Sequence, residues 1–363
     1  MALTKACAVF ALALAAAVAT GCSAVASGDK AGGQAAAPVV LRMASAPSGL
    51  SDAPPVADFA RRLRALSGGA IRIKVINQWG DYVPGAEAQD VRAVAADQVD
   101  LGWATSRMFD TMGVPAFQAL SAPMLIDSYP LEAAVLKTTI PAHMLAGLSR
   151  VHVTGLAVLG DALRHPIAMR RPLLRPSDWR GLSFGTNTSA LQQQAIRVLG
   201  ATPVVASGPY RTHDLATGQI QGFEFDVWRY LRVVLAPHAY VTVNVTLWPQ
   251  FDVLFANPAR LASLSPQQRA WLSQAAQDAA AHSVSVVVGQ NERSIRRACA
   301  IGARFATATR ADLDALGSAF IPVYRSLEAD PQTGAFIRQI QALKQKTPPG
   351  APSVIPSDCT ARL

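Results

Sequence analysis

The apolar residues of this chain switch period repeatedly, from two to 3.6 and back, and that alternation confines it to the α/β folds. Val39–Ala44 reads as a short apolar strand. A helix follows, with Val56, Phe59, Leu63 and Leu66 on one face and Gly68-Gly69 at its end. Ile71, Ile73 and Val75 then alternate with Arg72 and Lys74, the period of a strand. Val91, Val94 and Ala95 share a helix face, and Val99–Ala104 is another buried strand. Leu131–Leu148 and Ser189–Leu199 read as helices. Val151–Leu159, Ile167–Met169, Leu182–Phe184, Gln219–Phe225 and Tyr240–Leu247 read as strands. Ser265-Pro266, with Gln268 in capping-box position, opens a long helical region that runs to Leu327 with a break near Ala306–Thr309. This many strands fit two sheets better than one, with the chain crossing between them near Leu159–Arg164 and again near Leu247.

The amino terminus has a different logic. Lys5 is the sole charge before Asp29, and an apolar run from Ala6 to Ala19 follows it. A basic start, an apolar stretch too short to span a bilayer comfortably, and small residues at a cut describe a signal peptide, placed at residues 1–21. Val18-Ala19-Thr20-Gly21-Cys22 resembles a bacterial lipobox, with Ala19 where Leu is usual. That resemblance implies a lipid on Cys22 and export to the outer face of the cell membrane. Residues 22–38, rich in Ser, Ala and Gly, read as a flexible tether. Of the other cysteines, Cys7 leaves with the signal peptide. Cys299 and Cys359 remain in an oxidising compartment, where a disulfide pinning the carboxy-terminal tail to a helix is expected.

The formal net charge of +9 comes from scattered arginines, not from a basic run interleaved with aromatics, so a nucleic-acid partner is not expected. A positive field suits an anionic solute. The His residues are isolated, with no helical i, i+4 pair and no Cys–His cluster, so no metal site is expected. Gly181-Leu182-Ser183-Phe184-Gly185 fits G-x-S-x-G, but Ser183 falls inside a strand and not on the strand-to-helix turn that a nucleophile elbow needs. No enzymatic activity and no cofactor are expected.

Several segments resemble, in order and spacing, the solute-binding proteins of tripartite ATP-independent periplasmic (TRAP) transporters. They are Leu41–Ala46, Phe59–Gly69, Ile71–Gly80, Val91–Trp103, Leu120–Ser128, the signature-like Pro176–Gly185, Gly200-Ala201-Thr202-Pro203, and Gly218–Glu224. The resemblance implies a two-lobe, periplasmic-binding-protein-like (type II) α/β fold, with a hinge and a long helix spanning both lobes. Lobe I would comprise residues 39–161 plus 247–290, and lobe II residues 162–246 plus 291–363. It implies capture of a small organic acid by a monomer and delivery to membrane permease subunits. A binding protein of an ATP-driven importer, or a surface sensor or scaffold, are alternatives. The sequence departs from the family at Gly185, where the carboxylate-clamping Arg is usual, at Gln221, where Asp is usual, and in a spacing two residues longer between Tyr210 and Gly218.

Candidate ligand contacts follow from position. Arg164 matches another family arginine just after a crossing strand. Trp103 ends a strand whose carboxy-terminal edge should face a cleft. Phe184 flanks Gly185, while Thr186 and Asn187 continue the signature loop near a helix start. Glu224 and Trp228 lie in one aromatic-rich segment, and Trp79 in a loop after a strand.

Overall fold

A computed structural model describes residues 37–47, 49–231 and 238–361. The signal peptide, Cys22 and nearly all of the tether lie outside them. In chain order the strands and helices are β1 (Val39–Ser45), α1 (Pro54–Leu66), β2 (Ile71–Asn77), α2 (Ala86–Ala95), β3 (Leu101–Thr105), α3 (Tyr129–Leu136), α4 (Ile140–Ala146) and β4 (Thr154–Ala168). Then come β5 (Ser183–Thr186), α5 (Ala190–Val198), β6 (Thr202–Val205), α6 (Gly208–Thr217), β7 (Gly222–Phe225), α7 (Val227–Tyr230), β8 (Tyr240–Thr242) and β9 (Trp248–Ala256). The chain closes with α8 (Pro258–Ser263), α9 (Pro266–Ala300), β10 (Arg304–Ala306), α10 (Arg310–Ala319), α11 (Ile321–Glu328) and α12 (Pro331–Lys346).

The strands form two sheets that share β4. In the first, β1 lies parallel between β2 and β3, and β9 runs antiparallel between β3 and β4. In the second, β4 pairs antiparallel with β7 and β8, β5 lies parallel between β6 and β7, and β10 extends β8. Residues Thr154–Arg164 of β4 belong to the β9 ladder and His165–Ala168 to the β7 ladder. Register shifts at Gly155/Ala157 and Gly160/Leu163 bend the strand between its two sheets. The result is a mixed α/β fold of two lobes with continuous crossing strands.

Three expectations change. The stretches read as Val151–Leu159 and Ile167–Met169 are a single strand, β4, because the polar residues between them are buried and paired with groups from neighbouring elements. Trp248–Ala256, where no strand was expected, is a wholly buried strand. Leu131–Leu148 is broken after Leu136, where Lys137 ends α3 and Pro141 enters the first turn of α4.

Helix α9 joins the lobes. Ser265 accepts from the backbone of Gln268, whose side chain returns the bond, so the expected capping box is formed. Its 35 residues reach about 50 Å at ~1.5 Å per residue. Leu272, Ala275, Ala276 and Ala279 make one stripe against the core of α1, β1 and β9. Further along, Ile295 and Ala298 pack with Phe223, Val241 and Phe305 of the second sheet. Each large apolar side chain so buried contributes about 1.5–3 kcal/mol. Cys299, near the end of α9, is bonded to Cys359, tying the tail to the helix. Helix α12 packs back onto α3 and the 3-10 turn Pro115–Ser121, so the chain's end touches elements of the amino-terminal half. No helix among the described residues is long and apolar enough to cross a membrane.

Candidate functional site

Strand β4 cannot pass between two sheets without burying its middle, and its middle is polar. Asp161, Arg164 and His165 are all buried there. They are met by Gln250 and Asp252 from β9, Glu224 and Asp226 at the end of β7, and Arg229 from α7. Buried charges persist when they are paired, and Asp161, Arg164, Glu224, Asp226 and Arg229 are, although Nη1 of Arg164 and Oε2 of Glu224 lack a hydrogen-bond partner. Arg229 reaches Asp161 through Nη2 and Asp226 through Nη1, the latter at 2.9 Å. Its Nε and Nη2 also donate to the carbonyl of Asp52 at 3.0 and 2.8 Å. Asp226 caps α7, accepting from the Arg229 N–H at 2.8 Å. Gln250 donates to Asp161 at 2.9 Å and accepts from Arg164. Arg164 lies 3.6 Å from Glu224 and 4.0 Å from Asp226, with its Cζ 4.8 Å from the centre of the Phe225 ring.

Titration behaviour follows from this packing. Burial alone would raise Asp226, but Arg229 and Arg164 outweigh it and hold the carboxyl below its usual range. Burial raises Asp161 despite Arg229. Burial, reinforced by Asp161, pushes both Asp252 and Glu132 well above the ordinary range. The same burial that raises Asp161, Asp252 and Glu132 is thus overcome at Asp226, which is flanked by Arg229 and Arg164.

A second wall comes from the first lobe. Glu87, in the first turn of α2, accepts from Thr105 N and Oγ1 at 3.0 and 2.7 Å and from Arg107 Nη2 at 2.6 Å. Burial opposes ionisation of Glu87, but Arg107 and Thr105 prevail and its pKa falls. Asp90, nearly one helical turn on, accepts from Ala46 N at 3.0 Å; burial and then Glu87 push its carboxyl up to about 9.

Between these walls lies a cavity of about 580 Å³. Four arginines line it: Arg107, Arg164, Arg211 and Arg229. Apolar surface comes from Ala46, Pro47, Val83, Trp103, Pro209 and Phe225, and hydrogen-bonding groups from Asn187, Thr105 and Thr212. On one rim Ser207 Oγ, just before α6, donates to the Tyr82 carbonyl at 3.1 Å, closing contact between segments 125 positions apart.

The structure brings together some of the expected contacts and not others. Arg164, Asn187 and Trp103 line the cavity. Trp103 also donates from Nε1 to Ser45 at 3.2 Å. Glu224 stands behind the wall, accepting from Asn187 Nδ2 at 2.6 Å. Four residues are not on the cavity wall, a correction to the expectation. Phe184 is fully buried against Trp179, ring centres 4.6 Å apart. Thr186 is buried beside Gln192 of α5. Trp228 stacks on Arg229 at 4.6 Å, and Trp79 packs against the larger hydrophobic core. Gly185 also has a packing explanation: a Cβ there would sit 2.8 Å from Ile220 Cδ1 and 3.2 Å from Phe223 Cβ. The volume that a side chain would occupy is filled. Gln221 serves the backbone, accepting from Ser183 N at 2.7 Å.

Arg107, Arg211, Arg229, Glu87 and Gln250 were not among the expected site residues. For Arg211 one signal existed, the lengthened spacing that begins at Tyr210. The others are recognisable only through partners distant in the sequence.

The profile of bacterial extracellular solute-binding protein family 7 matches residues 50–330. The chain belongs to that family. Among curated proteins it is similar to a C4-dicarboxylate-binding periplasmic protein of Rhodobacter capsulatus, 23% identical over 168 residues, or 46% of this chain and 49% of that one. The chain thus spans about half the length of the curated relative it matches. Among solved structures it is similar to a TRAP periplasmic solute-binding protein of Roseobacter denitrificans with bound β-D-glucuronate, with 20% identity and a TM-score of 0.72 over 84% of this chain and 99% of that one. Another from Xanthobacter autotrophicus, with bound β-D-galacturonate, gives 20% identity and a TM-score of 0.73 over 83% and 99%. A third from Polaromonas, bound to D-erythronate, gives 18% and 0.73 over 84% and 99%. These likenesses show the fold.

Proposed function

We propose that this family-7 protein captures a small organic acid outside the cytoplasm and delivers it to the membrane permease subunits of a TRAP-type transporter. The observation that carries this reading is the cavity of about 580 Å³ between the two walls, lined by four arginines and by apolar surface. A pocket of that size encloses a small solute, and guanidinium groups present paired N–H donors that match a carboxylate. The solved relatives described with bound glucuronate, galacturonate and erythronate support the same solute class. Arg164, Asn187 and Trp103 contact the solute, and Glu224 orients Asn187. The site binds and releases without covalent chemistry.

The lobes move about the crossing strands, closing on the solute and opening to release it. In this reading lobe I takes residues 39–161 plus 247–290, and lobe II residues 162–246 plus 291–363, with α12 returning across the boundary. A lipid on Cys22 holds the protein at the outer face of the cell membrane. Replacing Cys22 with Ser should move it from the membrane fraction to the soluble fraction of the exported material; unchanged membrane retention would remove the anchor from the account.

A thermal-shift screen of carboxylates against matched neutral solutes tests the solute class. Carboxylates are expected to raise the melting temperature and neutral analogues to leave it unchanged. Stabilisation by neutral compounds alone would overturn the organic-acid reading.

A further inference from the structure

The four arginines of the cavity are not equivalent. Arg107 is paired with Glu87 at 2.6 Å. Arg164 is flanked by Glu224 and Asp226 at 3.6 and 4.0 Å, and its Nη1 is sealed from the cavity by surrounding protein. Arg229 is held by Asp161, Asp226 and a backbone carbonyl. Arg211, the fourth residue of α6, lines the cavity with its Cζ 4.4 Å from the centre of the Phe225 ring and 5.9 Å from that of Phe223. Among the described residues no carboxylate lies within ion-pair distance of it. Burial, then Arg164, draws its pKa down to about 10, so it remains charged at neutral pH.

Resting on the organic-acid reading above, we propose that Arg211 is the carboxylate anchor of this protein, and that the site accepts one carboxylate and not two. A stacked guanidinium keeps its in-plane N–H donors free for a bidentate partner. Position 185 offers no guanidinium, and a Cβ there would crowd Ile220 and Phe223. A second carboxylate would find only arginines that already have acidic partners: Arg107 with Glu87, Arg164 with Glu224 and Asp226, and Arg229 with Asp161 and Asp226. The preferred solute is therefore a monocarboxylate with a neutral body that packs against Trp103, Phe225 and Pro209.

Calorimetric titration of the full mature protein with D-glucuronate, D-galacturonate and D-erythronate, against succinate, malate and D-glucose, separates the possibilities. Monocarboxylates are expected to bind at least about 30-fold more tightly than dicarboxylates, and Arg211→Ala should weaken their binding by about 30-fold or more. Arg211→Lys should restore part of that loss. The α6 helix buries no residue fully, so the melting temperature of solute-free Arg211→Ala should match the parent and certify its fold. Equal or tighter binding of succinate or malate, or undiminished glucuronate binding by Arg211→Ala, would overturn the proposal while leaving the organic-acid reading intact. Binding of glucose alone, or of no carboxylate in the panel, would overturn both.

Discussion

The two sides of the cavity are built on opposite principles. On the side of β4, β9 and α7, every lining cation is matched by buried carboxylates or carbonyls: Arg229 by Asp161, Asp226 and Asp52, and Arg164 by Gln250, Glu224 and Asp226. On the side of α6, a half-buried arginine rests on aromatic rings, with no acidic partner among the described residues. The saturated side lies on β4, the strand shared by both sheets, and on its neighbours β9 and α7, where an unpaired charge would threaten the fold. The unsaturated side lies on a short helix that contributes little to the core. The difference teaches that counting arginines around a pocket says little about its affinity for anions; what counts is the cation whose charge the protein has left unanswered.

The strongest way to break this contrast is Arg229→Met. It leaves Asp226 and Asp161 buried without their main partner, and a buried pair broken on one side costs about 3–5 kcal/mol. Urea unfolding should show that loss, whereas Arg211→Ala should leave stability within about 0.5 kcal/mol. Equal losses for both variants would erase the distinction. Gly185→Ala comes next. Its Cβ would press on Ile220 and Phe223, and overpacking of this kind costs about 1–3 kcal/mol; an unchanged unfolding midpoint would mean that this packing yields easily and that the filled volume does not explain the glycine.

A third effect is specific in pH. The Asp90 carboxyl is raised to about 9 in the folded chain, by burial and then by Glu87, against about 3.9 when unfolded. Between those values the unfolded chain has lost the proton that the folded chain keeps. The stability contributed by this group is complete below about pH 4 and drains away as pH rises toward 9, at up to ~1.4 kcal/mol per pH unit. Asp90→Asn cannot ionise, so its stability should fall less steeply between pH 5 and pH 8 than that of the parent. Parallel slopes would show that Asp90 is ionised in the fold.

Much of the fold was legible because its signals are local. Ser265, Pro266 and Gln268 announced α9, and the alternation at Ile71–Val75 announced β2. The crossing strands were harder for a physical reason. Asp161, Arg164 and His165 interrupt the apolar pattern of β4, and Pro249, Gln250 and Asp252 interrupt that of β9. Such residues look like loop until their partners, far away in sequence, are in place. The site divides along the same line. Trp103 and Arg164 lie within strands β3 and β4, and Asn187 just after β5, at points that the topology aims at the cavity. Phe184 and Thr186 lie on β5 just before Asn187 yet point into packing, since successive strand residues face opposite ways. Arg211 lies on a helix with no family motif, and only the longer spacing between Tyr210 and Gly218 hinted at a different arrangement.

A crystal structure of the protein with D-glucuronate, or with the acid that accompanies it through purification, tests the central claim most directly. The solute should lie in the cavity with its single carboxylate within hydrogen-bonding distance of the Arg211 guanidinium, and with the Arg229–Asp161–Asp226 contacts unaltered. A carboxylate seated instead on Arg107 or Arg229, with Glu87 or Asp226 displaced to make room, would contradict it.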